Sequence, residues 1–392
     1  MGKLNTSKTR VHFFNLDVLR FLAATMVMIT HGYEAFSSWI HRPSFLSTDK
    51  SYQVPNTSGI YIERIFNNFS LGVDFFFLIS GFLITYLLLV ERKELGNINL
   101  KKFYLRRILR IWPLYFFIIL CTPLIIRITA MTEPIYSWTA LFANNFQAIF
   151  LSDTLVNNLP AASQYPFMHF WSICVEEHFY LVWPLLLFFV PTKKLSWCFA
   201  ILILSSIAFR AWAFTLAVHP FEQINWNTLS KIDTLAIGGW MALIHFQKPF
   251  QLKISNVSRI LFFLTFFALL TFSEAKKYSS VLEAMFKNYL YTFPFAFILI
   301  WYLFDKKAWF NFSSKNFIHY LGKISYGIYI YHNILFLFVI KLVIFRFDLR
   351  SLPLFCILYP LMVIGVAALS YEVLEKPFLK LKDRLSLIDT SR

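Results

Sequence analysis

Ten apolar runs follow one another through this chain, most of them long enough to cross about 30 Å of hydrocarbon, for which a helix needs roughly 17–25 residues. They fall at roughly 16–38, 71–90, 109–128, 171–190, 196–218, 232–247, 258–272, 289–304, 320–341 and 352–374; those at 232–247 and 258–272 are the short ones. A further stretch, 138–151, is too short and is interrupted by asparagine, so it is expected to be re-entrant or interfacial. Inside lipid every backbone N–H and C=O needs a partner from the protein, and runs of this length supply one by forming helices. The expected fold is therefore all-α: a polytopic transmembrane bundle of about ten spans. With no internal repeat, heptad pattern or low-complexity segment, residues 1–392 read as a single membrane domain with short tails at 1–15 and 375–392.

Composition agrees. The chain is 58% hydrophobic, 20% aromatic and 15% charged, against about 45–50% apolar and about 25% charged in soluble domains. A formal charge of +16 raises the question of nucleic acid. However, the lysines and arginines sit mostly between the apolar runs, without a basic recognition helix or zinc-ligand spacing, so nucleic acid is excluded as a partner and membrane lipid takes its place. An even number of spans puts both termini on one side. With both inside, the cytoplasmic segments hold 23 lysines and arginines against 11 on the opposite side. That bias fits an N-in, C-in orientation. The four cysteines lie in or beside apolar runs with no CxxC or CxxH pairing, so they read as small hydrophobes and no metal site is expected. The first apolar run is long, contains Asp17, Arg20 and His31, and lacks a small-residue cleavage site. It reads as a retained span rather than a signal peptide.

Ionisable groups inside spans are costly and are functional candidates by default. Arg20 and His31 in LDVLRFLAATMVMITHGYEAF are eleven residues apart. That is about 1100° of helix rotation, within about 20° of whole turns, so the two share a face with His31 about 16 Å further along the axis. Either Arg20 reaches the headgroups and His31 bonds a neighbouring helix, or the pair lines a route. A neutral imidazole is the natural base for a hydroxyl proton, and Glu34 either orients the ring or is a solvated charge. In RRILRIWPLYF, Arg107 and Arg110 are neighbours on a helix. Two guanidinium forks beside Trp112 suit a phosphorylated nucleotide; the alternative is an anchor against anionic lipid, which is the reading for Lys101 and Lys102. Glu176 and Glu177 are expected at the outer entrance of an aromatic-rich span, binding sugar hydroxyls or orienting a base, or else hydrated at the interface. Asp74, followed by Ser80 and Gly81, lies within an apolar run, as do Asp233, Ser325 and His332. Each of these is a polar group for helix packing or for a pathway.

Together these segments resemble the acyltransferase-3 family of bacterial membrane acyltransferases. The resemblance runs through LDVLRFLAATMVMITH, GVDFFFLISGFLIT, RRILRIWPLYF, WSICVEEHFYLVWP, KISYGIYIYHN and YEVLEKPF, in the family's order, over roughly residues 12–380. It implies a multi-pass protein of the bacterial cytoplasmic (inner) membrane that transfers an acyl group, commonly acetyl from acetyl-CoA, to an exported or surface carbohydrate. The acyl-CoA is a donor substrate, and no resident cofactor is implied. The family's first-span arginine and histidine fall on Arg20 and His31. Its cytoplasmic R-x-x-R, linked with the donor, falls on Arg107 and Arg110, and its S-x-x-x-E-E segment falls on Ser172, Glu176 and Glu177. His178 stands where the family often has glutamine, and Lys231 where an arginine often precedes D-x-L; both are expected on the acceptor side. Many relatives carry a second, periplasmic esterase-like domain. This sequence ends about eighteen residues after its last predicted span, so it is expected to act alone or with a separate periplasmic partner. The resulting expectation is an O-acyltransferase with His31 as general base or transient acyl carrier, Arg20 on the donor route, Arg107, Arg110 and Trp112 at the donor, and Glu176 and Glu177 at the acceptor. A transporter or flippase for a small anion or lipid-linked sugar is the alternative, because buried Arg, His and Asp also mark pathways. It lacks support from paired inverted repeats.

Overall fold

The computed structural model describes residues 13, 15–40, 57–129, 168–217, 220–251, 254–305, 316–339 and 352–386. The stretch 138–151 lies outside them, as do 1–12 and 387–392. Among the described residues there is no strand; helices cover most of the predicted apolar runs, and the described part of the run at 320–341 is divided between two helices that break at Ile324. In order these are α1 (Leu16–Ile40), α2 (Thr57–Asn68), α3 (Gly72–Leu95), α4 (Leu100–Thr129), α5 (Trp171–Phe189), α6 (Leu195–Leu216), α7 (Pro220–Trp226), α8 (Thr228–Gln247), α9 (Asn256–Phe272), α10 (Val281–Phe286), α11 (Tyr289–Phe304), α12 (Asn316–Lys323), α13 (Ser325–Val339), α14 (Leu352–Ser370) and α15 (Lys376–Arg384). A π-helical turn, Tyr371–Glu375, joins the last two. Among the described residues, four helical stretches are long and apolar enough to cross a membrane: Glu63–Leu95, Trp171–Phe189, Thr192–Leu216 and Pro353–Arg384.

The bundle is built around α3, which is apolar on every side and therefore buried on most of it. Helix α8 crosses it at glycines. A Cβ on Gly81 would lie 2.0 Å from the Leu235 carbonyl oxygen, and one on Gly238 would lie 2.2 Å from that of Leu78. Small residues let two backbones approach this closely where lipid gives no hydrophobic drive to associate. Gly81→Val is accordingly expected to cost about 1–3 kcal/mol or more through overpacking. A lowered thermal midpoint of the detergent-solubilised protein would register it. Around this centre, α6, α9 and α14 expose Leu204, Leu264 and Leu361 at about 60% or more, as faces turned to hydrocarbon do.

Two connections set the position of the basic segment. Gly96, with φ +76°, turns the chain out of α3. Glu91 then closes the corner, accepting from the Asn99 amide at 2.8 Å and pairing with Arg106 at 3.0 Å. Arg92 donates to the Leu187 and Val190 carbonyls at the end of α5, each at 2.8 Å. Arg92 and Arg106 are thus structural ties, and the turn they hold leaves Arg107 and Arg110 on the inner face of α4.

Candidate active site

Two cavities meet inside the bundle. The larger, about 790 Å3, is lined by His31, His169, Trp171, Trp226, Lys276 and Asn333, among others. The smaller, about 80 Å3, is lined by Arg20, Ser80, Arg107, Arg110, Glu176 and Ser325, among others. Val73 and Tyr329 line both and so form the wall between them. A third space of about 30 Å3 continues from the arginine cavity past Ile84 and Arg107 to Arg106 and Ser386.

The α1 spacing does what helical geometry requires: Arg20 and His31 face the same interior, one in each cavity. Helix α13 repeats the arrangement, with Ser325 in the arginine cavity and His332 two turns on, against His31. His31 Nδ1 lies 2.8 Å from His332 Nε2. His332 is fully buried, and its Nδ1 donates to the Tyr329 carbonyl at 2.5 Å. His169, which the sequence reading passed over, packs edge-on to His332 with ring centroids 4.8 Å apart. The Tyr359 hydroxyl donates to the Met28 and His332 carbonyls at 3.4 and 3.1 Å, tying α14 to both histidine helices. Glu34 lines the histidine cavity, but His332, not Glu34, meets the imidazole.

In the arginine cavity, Arg107 stacks over Phe103 and Tyr180, 5.4 Å from each centroid. Neither Arg107 nor Arg110 forms an ion pair among the described residues, and Arg20 has only Asp17 at 3.8 Å. Three guanidinium groups thus converge on a small space whose lining, among the described residues, includes one carboxylate, Glu176. The sequence reading put Glu176 and Glu177 at the outer entrance, whereas Glu176 lines the arginine cavity and accepts from Ser80 and Tyr180, each at 2.9 Å. The reason is the level at which α5 begins. Its first turn already lies at the wall, where Ser172 Oγ is 2.6 Å from the Tyr329 hydroxyl, so Glu176 sits one turn further toward the arginines. Glu177 is about 100° further round the helix and Trp112 about 200° round α4 from Arg110. These two face each other beside the cavity, and neither lines it.

Two further buried ion pairs line neither cavity. Lys231 reaches Asp74 at 2.9 Å, and Arg210 reaches Asp233 at 2.7 Å. His178 bonds Thr228 at 2.8 Å. The two departures from the family pattern, His178 and Lys231, thus both contact residues of other helices. On the loop after α9, Lys276 faces the histidine cavity with its pKa lowered to about 8, first by burial and then by Lys231 nearby. Arg64 and Lys277 in the same cavity form ion pairs with Glu274, at 3.5 and 3.1 Å.

An acyltransferase-domain family model matches residues 13–371. The chain belongs to the acyltransferase-3 family. It is also similar to the O-acetyltransferase OatA of Staphylococcus aureus: in strains NCTC 8325 / PS 47, COL and MRSA252 the identity is 26% over 332 residues, 79% of this chain and 52% of each relative. The chain thus spans about half the length of these curated relatives. No solved structure matches it. Family membership and the apolar helices together make this acyltransferase-3 chain a membrane protein.

Proposed function

We propose that this chain is a membrane-bound O-acyltransferase with about ten spans, N-in and C-in, in the bacterial cytoplasmic membrane. It moves an acyl group, in the simplest case acetyl, from cytoplasmic acyl-CoA to a hydroxyl of an exported or cell-surface glycan. The observation that carries this reading is the pair of cavities sharing a wall at Tyr329, one collecting arginines and the other a histidine.

The arginine cavity is too small for a nucleotide but admits a slender chain. The donor's phosphates therefore stay at the mouth, near Arg107 and Arg110, while its thioester arm extends past Arg20 to the wall. The acceptor enters the histidine cavity, where Trp171 and Trp226 offer flat apolar faces and Glu34, Asn67 and Lys276 offer polar contacts. His31 takes the hydroxyl proton as the oxygen attacks the thioester carbonyl carbon. The C–S bond breaks and the thiolate leaves with the proton that His31 returns, giving an ester and a free thiol. Ser172 holds the partition through Tyr329, and Ser80 holds Glu176 within the arginine cavity. Asp74 and Asp233 act through packing.

The test is the double variant Arg107→Lys with Arg110→Lys, which keeps both charges and removes both forks. The acyl-CoA KM is expected to rise about 10–100-fold with the acceptor KM unchanged, since bidentate phosphate contacts are lost while the point charges remain. Thiol release and acylated glycan are measured on the same reconstituted protein. An unchanged donor KM would return the arginines to the role of lipid anchors. Substrate crossing the membrane without thiol release would favour the transporter reading.

A further inference from the structure

Resting on the reading of His31 as the base, we infer that His332 is a positioning residue: it fixes the tautomer and direction of His31, so that Nε2 is the nitrogen that takes the acceptor proton. The geometry leaves one assignment. A carbonyl oxygen can only accept, so His332 Nδ1, 2.5 Å from the Tyr329 carbonyl, carries its hydrogen. In a neutral imidazole the other nitrogen then holds the lone pair. That nitrogen, His332 Nε2, lies 2.8 Å from His31 Nδ1. Two lone pairs do not meet at that distance, so His31 Nδ1 carries the hydrogen and donates it. The lone pair of His31 is left on Nε2, at the cavity side.

The ring arrangement supports this. The two imidazoles are 9° from parallel with centroids 5.0 Å apart. With nitrogens at 2.8 Å, this is the edge-to-edge arrangement of a hydrogen bond lying in both ring planes, not face-to-face stacking. His169 does not compete for the relay: its Nε2 contacts the Ile330 carbonyl at 3.3 Å, and the Asn333 amide donates to its Nδ1 at 3.3 Å. The line therefore runs from the Tyr329 carbonyl through His332 to His31 and ends at a free lone pair. Protonating His31 Nε2 in the reaction strengthens the bond from Nδ1–H to His332, which shares the positive charge.

Two substitutions separate positioning from packing. His332→Phe keeps a ring of similar shape and removes the acceptor. It is expected to lower kcat about 10–100-fold, the usual cost of removing an orienting partner, with the KM of both substrates unchanged. His332→Gln can present its side-chain oxygen near the lost nitrogen and is expected to recover most of that rate. Equal losses in the two variants, or losses in KM alone, would overturn the assignment. NMR of the wild-type protein with isotope-labelled histidine, using His31→Ala to assign the signals, reads the tautomer without any acyl transfer. Hydrogen on His31 Nδ1 is the expected result, and hydrogen on Nε2 would sink the relay. If wild-type protein consumes no acyl-CoA yet shows the expected tautomer, the functional reading fails while the relay stands.

Discussion

His31→Ala is expected to lower acyl transfer by about 10²–10⁴-fold, the range that a positioned general base contributes, with the protein still inserted and folded. The fold should tolerate the change because His31 is only partly buried and opens on a cavity of about 790 Å3. Truncating it leaves no closed void in the core. What is lost, on the proposed reading, is the His31 Nε2 lone pair that takes the acceptor proton. Donor binding should survive, since Arg20, Arg107 and Arg110 lie beyond the wall at Tyr329. Donor KM is therefore expected to stay near wild type while kcat falls, measured as thiol released per folded molecule. Undiminished acylation would remove His31 from the chemistry. Rapid mixing with acyl-CoA alone separates two uses of the same nitrogen: direct transfer gives no thiol burst without acceptor, whereas a transient acyl-imidazole on Nε2 gives one.

Much of this site was legible along single helices and little of it between them. The eleven-residue interval from Arg20 to His31 and the three-residue interval from Arg107 to Arg110 are statements about one helix, and rotation per residue suffices to place each pair. The same arithmetic put Ser325 and His332 on one face. It did not say that α13 runs alongside α1 so that arginine level meets serine and histidine meets histidine, because that contact joins residues 301 positions apart. Depth was the other blind spot. Glu176 was expected at an outer entrance because an apolar run follows it, but the preceding turn at Met168–Phe170 already lies inside the bundle, and His169 and Ser172 come with it. Trp112 and Glu177 were grouped with their neighbours by closeness in sequence, although one or two residues on a helix suffice to turn a side chain away. The fold itself was the most readable part, since a chain so apolar has few ways to satisfy its backbone in lipid.

Arg210 was the charge most easily missed, and it leads to the second large effect. It sits in the apolar run of α6 with none of its side chain exposed, where a lone guanidinium would be prohibitive. The structure satisfies nearly every donor: Nη1 reaches the Ser230 carbonyl and Asp233, both at 2.7 Å, and Nη2 reaches the Met285 carbonyl at 3.0 Å and Tyr289 at 3.1 Å. Asp233 in turn accepts from Tyr289 and from the Thr234 amide, each at 2.8 Å. The cluster joins α6, α8 and the α10–α11 region away from both cavities. Asp233→Ala leaves the guanidinium buried without its counter-ion, so a destabilisation of about 3–5 kcal/mol is expected, whereas replacing both partners by apolar residues of similar size is often neutral. The double variant Arg210→Met with Asp233→Leu should therefore recover most of the stability lost by Asp233→Ala, because it leaves no buried charge without a partner. Thermal midpoints in detergent measure both variants. Turnover per folded molecule should stay at the wild-type level in the double variant, because neither residue lines the route from the arginine cavity to His31.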